Sequence, residues 1–218
     1  MPRPLVPAAV RPLAATLLAA CVAITVFLGV RFSQHTRAGW LDTSVDARVQ
    51  AALGGHSVLL NRVAALGDPI PVTAMTAALL LACLATRRWR GAVLVAVSLP
   101  SAAAVAQLLL KPVVGRTLAG ALSFPSGHAT GVFALAAAFA VLLVDPLRPR
   151  MPVALRLSLV LAVLVAACAV AAALVGLRAH YFTDTVGGAA VGVAVVLATA
   201  LILDRLVRSR SRGGDSPA

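Results

Sequence analysis

The sequence has few charged residues for its length. Only 12% of its 218 residues are Asp, Glu, Lys or Arg, whereas about a quarter is usual in a soluble domain. Hydrophobic residues make up 61%, and the mean hydropathy is +0.97. So few charges cannot cover a water-exposed surface, and lipid is the simplest cover for the apolar excess. The composition therefore excludes an ordinary soluble domain and favours an integral membrane protein.

Acidic residues are scarcer still, with seven Asp and Glu against 19 Lys and Arg, which gives a net charge of +12. Such an excess often indicates nucleic-acid binding. Here, however, the arginines lie between apolar runs instead of along one polar face. The positive-inside pattern of membrane proteins explains them better, so no nucleic-acid partner is predicted.

Cysteine is also rare, and its spacing carries no metal signature. Cys21, Cys83 and Cys168 each lie inside an apolar run. This placement is typical of free buried thiols, and it predicts neither a disulfide nor a metal site.

Long apolar runs are abundant, and a helix that crosses a bilayer needs about 20 such residues. The sequence predicts an all-α bundle of six transmembrane helices. The spans are residues 12–32, 67–86, 91–110, 127–144, 156–177 and 185–203.

The distribution of charge predicts the orientation of this bundle. With both termini in the cytoplasm, twelve arginines lie on the cytoplasmic side and seven cationic residues lie on the other. This bias follows the positive-inside rule and predicts a multi-pass protein of the cell membrane. A composition rich in Ala, Arg and Val is typical of a GC-rich bacterium.

The sequence also makes predictions for the two ends of the chain and for its longest polar link. Leu18-Ala-Ala-Cys21 resembles a lipoprotein cleavage box, but the apolar run continues through Val30, so a membrane anchor is the better interpretation. Residues 40–66 form the longest polar link, with apolar positions at helical spacing from Val45 to Leu53, and predict an interfacial helix in the first outer loop. Residues 1–207 form one membrane domain, and residues 208–218 a basic, disordered tail.

Three polar segments fall on the outer side of this topology: 111–116, 125–128 and 178–184. In the second, Pro125 disfavours helix at the preceding residue and Ser126 is a good N-cap. A helix N-terminus attracts anions, Gly127 permits close approach of a ligand, and His128 stands in the first turn. The alternative, a plain capped helix start, explains Ser126 but not His128.

In the third segment, His180 and Asp184 are four residues apart and share a face of a helical turn. A carboxylate that binds one imidazole nitrogen fixes the tautomer and activates the other nitrogen as a nucleophile or base. The alternative is an interfacial histidine with Asp184 as the N-cap of the last span.

Three cations accompany these residues: Lys111, Arg116 and Arg178. They are candidates to neutralise a phosphate, which arginine binds in a bidentate manner. Alternatively, they are flanking charges that snorkel to the interface, although their side of the membrane is the one poor in positive charge.

In the last span, Gly188 and Gly192 have the spacing that lets another helix approach closely.

A lysine, then Pro-Ser-Gly-His, then Arg–His–Asp resembles the type 2 phosphatidic acid phosphatase superfamily, the lipid phosphate phosphatases related to vanadium haloperoxidases. The motifs on which this resemblance rests are FPSGH and HYxTDxxGG. The resemblance implies that His180 is a nucleophile that forms a phosphohistidine, with Asp184 as its orienting partner and His128 as the general acid. It further implies phosphate contacts from Lys111, Ser126 and Gly127, and no metal or other cofactor.

Two positions depart from the family's pattern. The arginine expected seven residues after the lysine is replaced by Leu118, and Arg116 stands nearby. The arginine expected six residues before His180 is replaced by Leu174. Leu174 and Arg178 are one helical turn apart, so they share a face if the fifth span stays helical to its end.

These observations predict a membrane phosphatase that acts on a lipid phosphomonoester or pyrophosphate. The bilayer and a phosphorylated lipid are the expected partners, and the oligomeric state is left open. One alternative is a transporter or lipid-binding protein that uses the cations only to hold an anion. Another is halide oxidation with bound vanadate, although such enzymes are typically larger and soluble.

Overall fold

A computed structural model describes residues 4–144 and 151–213. Within these residues the fold is helical apart from one short hairpin, β1 (Thr117–Leu118) with β2 (Ala121–Leu122). Short 3₁₀ turns lie at Ala8–Val10 and Gly54–His56, and a π-helix at Val105–Leu110. The α-helices are α1 (Arg11–Arg31), α2 (Trp40–Leu53), α3 (Ser57–Ala65), α4 (Pro69–Ala85), α5 (Trp89–Ala104), α6 (Lys111–Val114), α7 (Gly127–Val144), α8 (Val153–Gly176) and α9 (Phe182–Gly213).

The apolar helices confirm an all-α, multi-pass membrane protein. Four helical stretches within the described residues are long and apolar enough to cross a bilayer, and α2 and α3 with α4 form a bent fifth candidate. The helix α7 is apolar but shorter, and it coincides with the predicted span 127–144. The count of six spans and the interfacial position of α2 and α3 stay predictions.

The helices α7 and α9 pack closely because α9 presents glycines to its neighbour. A Cβ atom at Gly192 would lie 2.5 Å from the carbonyl oxygen of Thr130. One at Gly188 would collide with the carbonyl oxygen of Ser126. The Gly188–Gly192 spacing therefore serves a contact within this chain, and it brings the first turns of both helices together.

The stretch that leads to Lys111 is an irregular helix. Pro100 lies inside α5 and removes one backbone donor, and the helix then widens into the π-helix Val105–Leu110 before α6 begins. Such π-segments are frequent at functional sites. Here the segment determines which side of the helix carries Lys111.

At the opposite end of the bundle, one buried carboxylate joins three parts of the chain. Asp204 of α9 accepts hydrogen bonds from the backbone N–H groups of Leu5 (2.8 Å) and Val6 (2.9 Å). Arg90, at the start of α5, donates to it at 2.6 Å. Asp204 therefore fixes the N-terminal segment and α5 to the last helix.

We expect Asp204→Ala to destabilise the fold by about 3 kcal/mol, because it leaves two buried amides and Arg90 without this carboxylate. Thermal unfolding in detergent measures the effect. Arg205→Ala, at the exposed neighbouring position, is the matched control. Equal melting temperatures for the two variants would contradict the inferred role of Asp204.

The chain ends differ in part from the sequence-based expectation. Helix α9 continues to Gly213, so the backbone of residues 208–213 is helical where the composition predicts disorder. Residues 214–218 of the predicted tail lie outside the described residues, as do Arg3, Arg148 and Arg150 of the sidedness count.

Candidate active site

The three predicted polar segments meet at one end of the bundle. The imidazole rings of His128 and His180, 52 positions apart in sequence, have centroids 6.3 Å apart and an interplanar angle of 62°. His128 lies in the first turn of α7, and His180 lies just before α9. The fold therefore places the predicted general acid beside the predicted nucleophile.

Ser126 caps the N-terminus of α7, as its sequence position predicts. Its hydroxyl oxygen accepts a hydrogen bond from the N–H of Ala129 at 3.4 Å, and its own N–H donates to the carbonyl oxygen of Asp184 at 3.0 Å. Ser126 is fully buried. This residue therefore fixes the start of α7 against the first turn of α9.

Asp184 is buried next to His180, but the two side chains are not yet hydrogen-bonded. Nδ1 of His180 lies 3.7 Å from Oδ2 of Asp184, which is longer than a hydrogen bond. That nitrogen is buried and has no other partner within the described residues. Oδ2 accepts instead from the N–H of Tyr181 at 3.2 Å. Catalytic hydrogen bonds are often long before substrate binds, so the predicted pairing stays open.

Two further carboxylates from α2 cap the N-terminus of α9. Asp42 accepts from the N–H of Thr183 at 2.9 Å, and Asp46 accepts from the N–H of Phe182 at 3.0 Å. Free N–H groups at a helix start favour negative charge. Together with Asp184, these residues satisfy the first amides of α9 and hold α2 over the site.

Arg116 lies at the centre of this arrangement and has no exposed surface. Its Nη2 donates to Asp42 at 2.5 Å, and its Nη1 donates to Asp184 at 2.6 Å and to Thr183 at 2.7 Å. The guanidinium lies between two aromatic rings, 4.0 Å from the centroid of Phe32 and 4.3 Å from that of Tyr181.

These contacts give Arg116 a different role from the one that its sequence position suggests. Its described partners are protein carboxylates and a hydroxyl group, while its Nε atom is buried without a partner within the described residues. Such contacts are those of a residue that positions Asp184. Direct phosphate binding by Arg116 stays a prediction.

Tyr181 contacts the guanidinium of Arg116 with the face of its ring. Burial raises the pKa of its phenol; the Arg116 guanidinium opposes this change, and Asp184, Asp42 and Asp46 add to it. The phenol therefore stays protonated at neutral pH, and its ring serves as a neutral face for the buried cation.

Arg178 does not share a helical face with Leu174, so the geometric expectation for this pair is wrong. Helix α8 ends at Gly176, and Arg178 adopts a left-handed conformation with φ of 59°. Leu174 is buried, whereas Arg178 is exposed. The turn lets Arg178 project from the surface two residues before His180, where it stays a candidate phosphate ligand.

Lys111 and Gly127 line the remaining side of the site. Lys111 begins α6 and is half-buried. A Cβ at Gly127 would collide with the side-chain amide of Gln107 on the π-helix. Gly127 therefore leaves room for the Gln107 side chain where the π-helix meets the start of α7.

His128 has a partner that the motif does not contain. Its Nε2 atom lies 2.9 Å from Oδ1 of Asp68, in the turn before α4. Asp42, Asp46 and Asp68 were not singled out as site residues from the sequence. The only signal is their type: carboxylates are scarce here, with seven acidic residues in the chain.

Comparison with known proteins agrees with the motifs. The sequence model of the PAP2 superfamily matches residues 113–208. No curated protein and no solved structure matches the chain. The matched region includes Arg116, Ser126, His128, His180 and Asp184, whereas Lys111 and the three partner carboxylates precede it. The chain is thus a multi-pass membrane protein whose residues 113–208 match the sequence model of the PAP2 superfamily, a superfamily of phosphatases.

Proposed function

We propose that this protein hydrolyses a lipid phosphomonoester or pyrophosphate through a phosphohistidine intermediate on His180. The observation that carries the proposal is the pair of imidazoles, 6.3 Å apart, at the N-terminus of α7. This spacing leaves room for a phosphoryl group between a nucleophile and a proton donor.

The proposed reaction has two steps. Nε2 of His180 attacks phosphorus, because Nδ1 faces Asp184. The bond from phosphorus to the leaving oxygen breaks, and His128 gives that oxygen its proton. Water then attacks the phosphorus of the phosphohistidine, and His128 takes a proton from the water. The bond from phosphorus to Nε2 of His180 breaks, and inorganic phosphate leaves. Asp184 stabilises the positive charge that His180 acquires during attack.

The phosphate contacts follow from which helix N-terminus at this end is left without a carboxylate. The N-terminus of α9 is already occupied by carboxylates. The N-terminus of α7 has only the Ser126 hydroxyl as its described side-chain cap, so the dipole of α7 remains available to an anion. We assign the phosphate to Ser126 and Gly127 there, with Lys111 and Arg178 as cationic ligands.

The position of the site in the bundle supports a lipid substrate. The polar residues lie at the ends of apolar helices, which is the depth expected for the phosphate of a membrane lipid. The positive-inside bias supports an orientation with this end outside the cytoplasm and both termini inside. The proposed arrangement has six spans, with α2 and α3 along the outer interface.

Phosphate release by purified protein in detergent tests the proposal. We expect the wild type to release phosphate from a phosphatidic acid, an isoprenoid pyrophosphate or a phosphatidylglycerophosphate, and we expect EDTA to leave the rate unchanged. Vanadate, which mimics the pentacoordinate phosphoryl group, is expected to inhibit. Lipid binding or flux without release of phosphate from this panel would contradict hydrolysis and favour the transporter alternative.

A further inference from the structure

We propose that Asp68 is a positioning residue for the general acid: it holds the His128 ring in place and selects its tautomer. The inference rests on the proposed phosphatase function. Its structural basis is the 2.9 Å contact between Nε2 of His128 and Oδ1 of Asp68, which joins the turn before α4 to the first turn of α7.

His128 needs an acceptor on one ring nitrogen to keep the other nitrogen in its reactive form. The ring lies in the first turn of α7, where the start of the helix presents N–H donors and not acceptors. An acceptor for Nε2 must therefore come from another element. The other ionisable side chains at this end of the bundle include Lys111, Arg178, His180, Tyr181, Asp46, and the ion-paired Arg116, Asp42 and Asp184.

Asp68 is the carboxylate in contact with the ring, whereas the others at this end are already engaged. Asp42 and Asp184 are ion-paired with Arg116, and Asp46 caps α9. Asp68 is half-exposed, at 52%, and the His128 ring is 34% exposed, so water weakens but does not remove their attraction.

The backbone around Asp68 is built for close approach to His128. A Cβ at Gly67 would lie 3.1 Å from Cβ of His128 and 3.0 Å from a methyl carbon of Val170. A larger residue at position 67 would therefore push the turn away from α7. Asp68 itself is held in place because its carbonyl oxygen accepts from the N–H of Val72 at 3.1 Å, in the first turn of α4.

The contact with Asp68 also suits a residue that donates a proton in the first step and accepts one in the second. An imidazolium has two N–H groups: Nε2–H donates to Asp68, and Nδ1–H gives its proton to the leaving oxygen. The ring is then neutral, with Nε2–H still held by Asp68 and Nδ1 free to accept a proton from water in the second step. Asp68 thus selects the tautomer that both steps require.

The test compares kcat and KM of Asp68→Asn with those of the wild type. Asparagine keeps the size of the side chain but can present either an oxygen or an N–H group to the ring, so it no longer selects one tautomer. We expect kcat to fall about tenfold with KM nearly unchanged, whereas Asp68→Glu, which keeps a carboxylate, is expected to keep most of the wild-type kcat. A wild-type kcat in Asp68→Asn would overturn the inference.

A second measurement separates this role from a purely structural one. In the His128→Asn background, Asp68→Asn is expected to cause no further loss, because the residue it serves is gone. An additional tenfold loss there would also overturn the inference. If the wild type releases no phosphate at all, it is instead the proposed function that fails.

Discussion

Replacement of His180 by alanine is expected to lower phosphate release by about 1,000-fold or more, because the variant has no nucleophile to carry the phosphoryl group. The structure predicts little cost to folding: the side chain is mostly buried, but its Nδ1 has no hydrogen bond within the described residues. Steady-state phosphate release in detergent, with the melting temperature measured in parallel, separates loss of chemistry from loss of fold.

The exposed His56 supplies the matched control. His56→Ala lies in the turn between α2 and α3, outside the proposed machinery, and is expected to keep wild-type activity. A second readout is the covalent intermediate: radiolabelled substrate is expected to leave acid-labile phosphate on the wild type and none on His180→Ala. Full activity of His180→Ala would exclude this histidine as the nucleophile.

Replacement of Arg116 by methionine is expected to cost about 3–5 kcal/mol of stability. Methionine is similar in length and apolar, but it leaves Asp42 and Asp184 buried without their cation. Arg116→Lys is expected to fail as well, because a single ammonium group cannot bridge two carboxylates and a hydroxyl group as the planar guanidinium does. Thermal unfolding in detergent and the yield of folded protein measure both effects.

Arg178→Met is the control that separates positioning from phosphate binding. Arg178 is exposed and has no described ion pair in residues 4–144 and 151–213. Its loss is expected to raise KM about tenfold with the melting temperature unchanged, the cost of one charge-assisted contact. If Arg116→Met instead kept the wild-type melting temperature and changed only KM, the guanidinium would be a phosphate ligand and not an anchor for Asp184.

The helices were largely predictable because apolar runs in a membrane chain are long and their polar breaks are sharp. The predicted span 127–144 coincides with α7, where Ser126 marks the start. The predicted span 91–110 covers α5 and the π-helix that follows it, but no apolar pattern reveals that the second part is a π-helix. Helix α9 runs ten residues beyond its predicted end at residue 203, and no apolar pattern encodes that extension.

The site was predictable only where its residues are close in sequence. His180 with Asp184, and Ser126 with His128, are local patterns that spacing reveals. The partners of Arg116 and His128 come from 74 and 60 positions away, and no periodicity connects them. Arg178 was misjudged because the end of α8 depends on a left-handed residue, and arginine is not a residue type that marks such a turn.

The contacts of α2 with α9 set an order for assembly during synthesis. Asp46 and Asp42 are made 136 and 141 positions before the amides that they bind, at Phe182 and Thr183. Until the last helix is inserted, Arg116 has Asp42 but not Asp184, and Ser126 lacks its carbonyl partner. A nascent chain that stops before α9 therefore lacks Asp184 and the amides that Asp42 and Asp46 bind, and the candidate active site is complete only with the final helix.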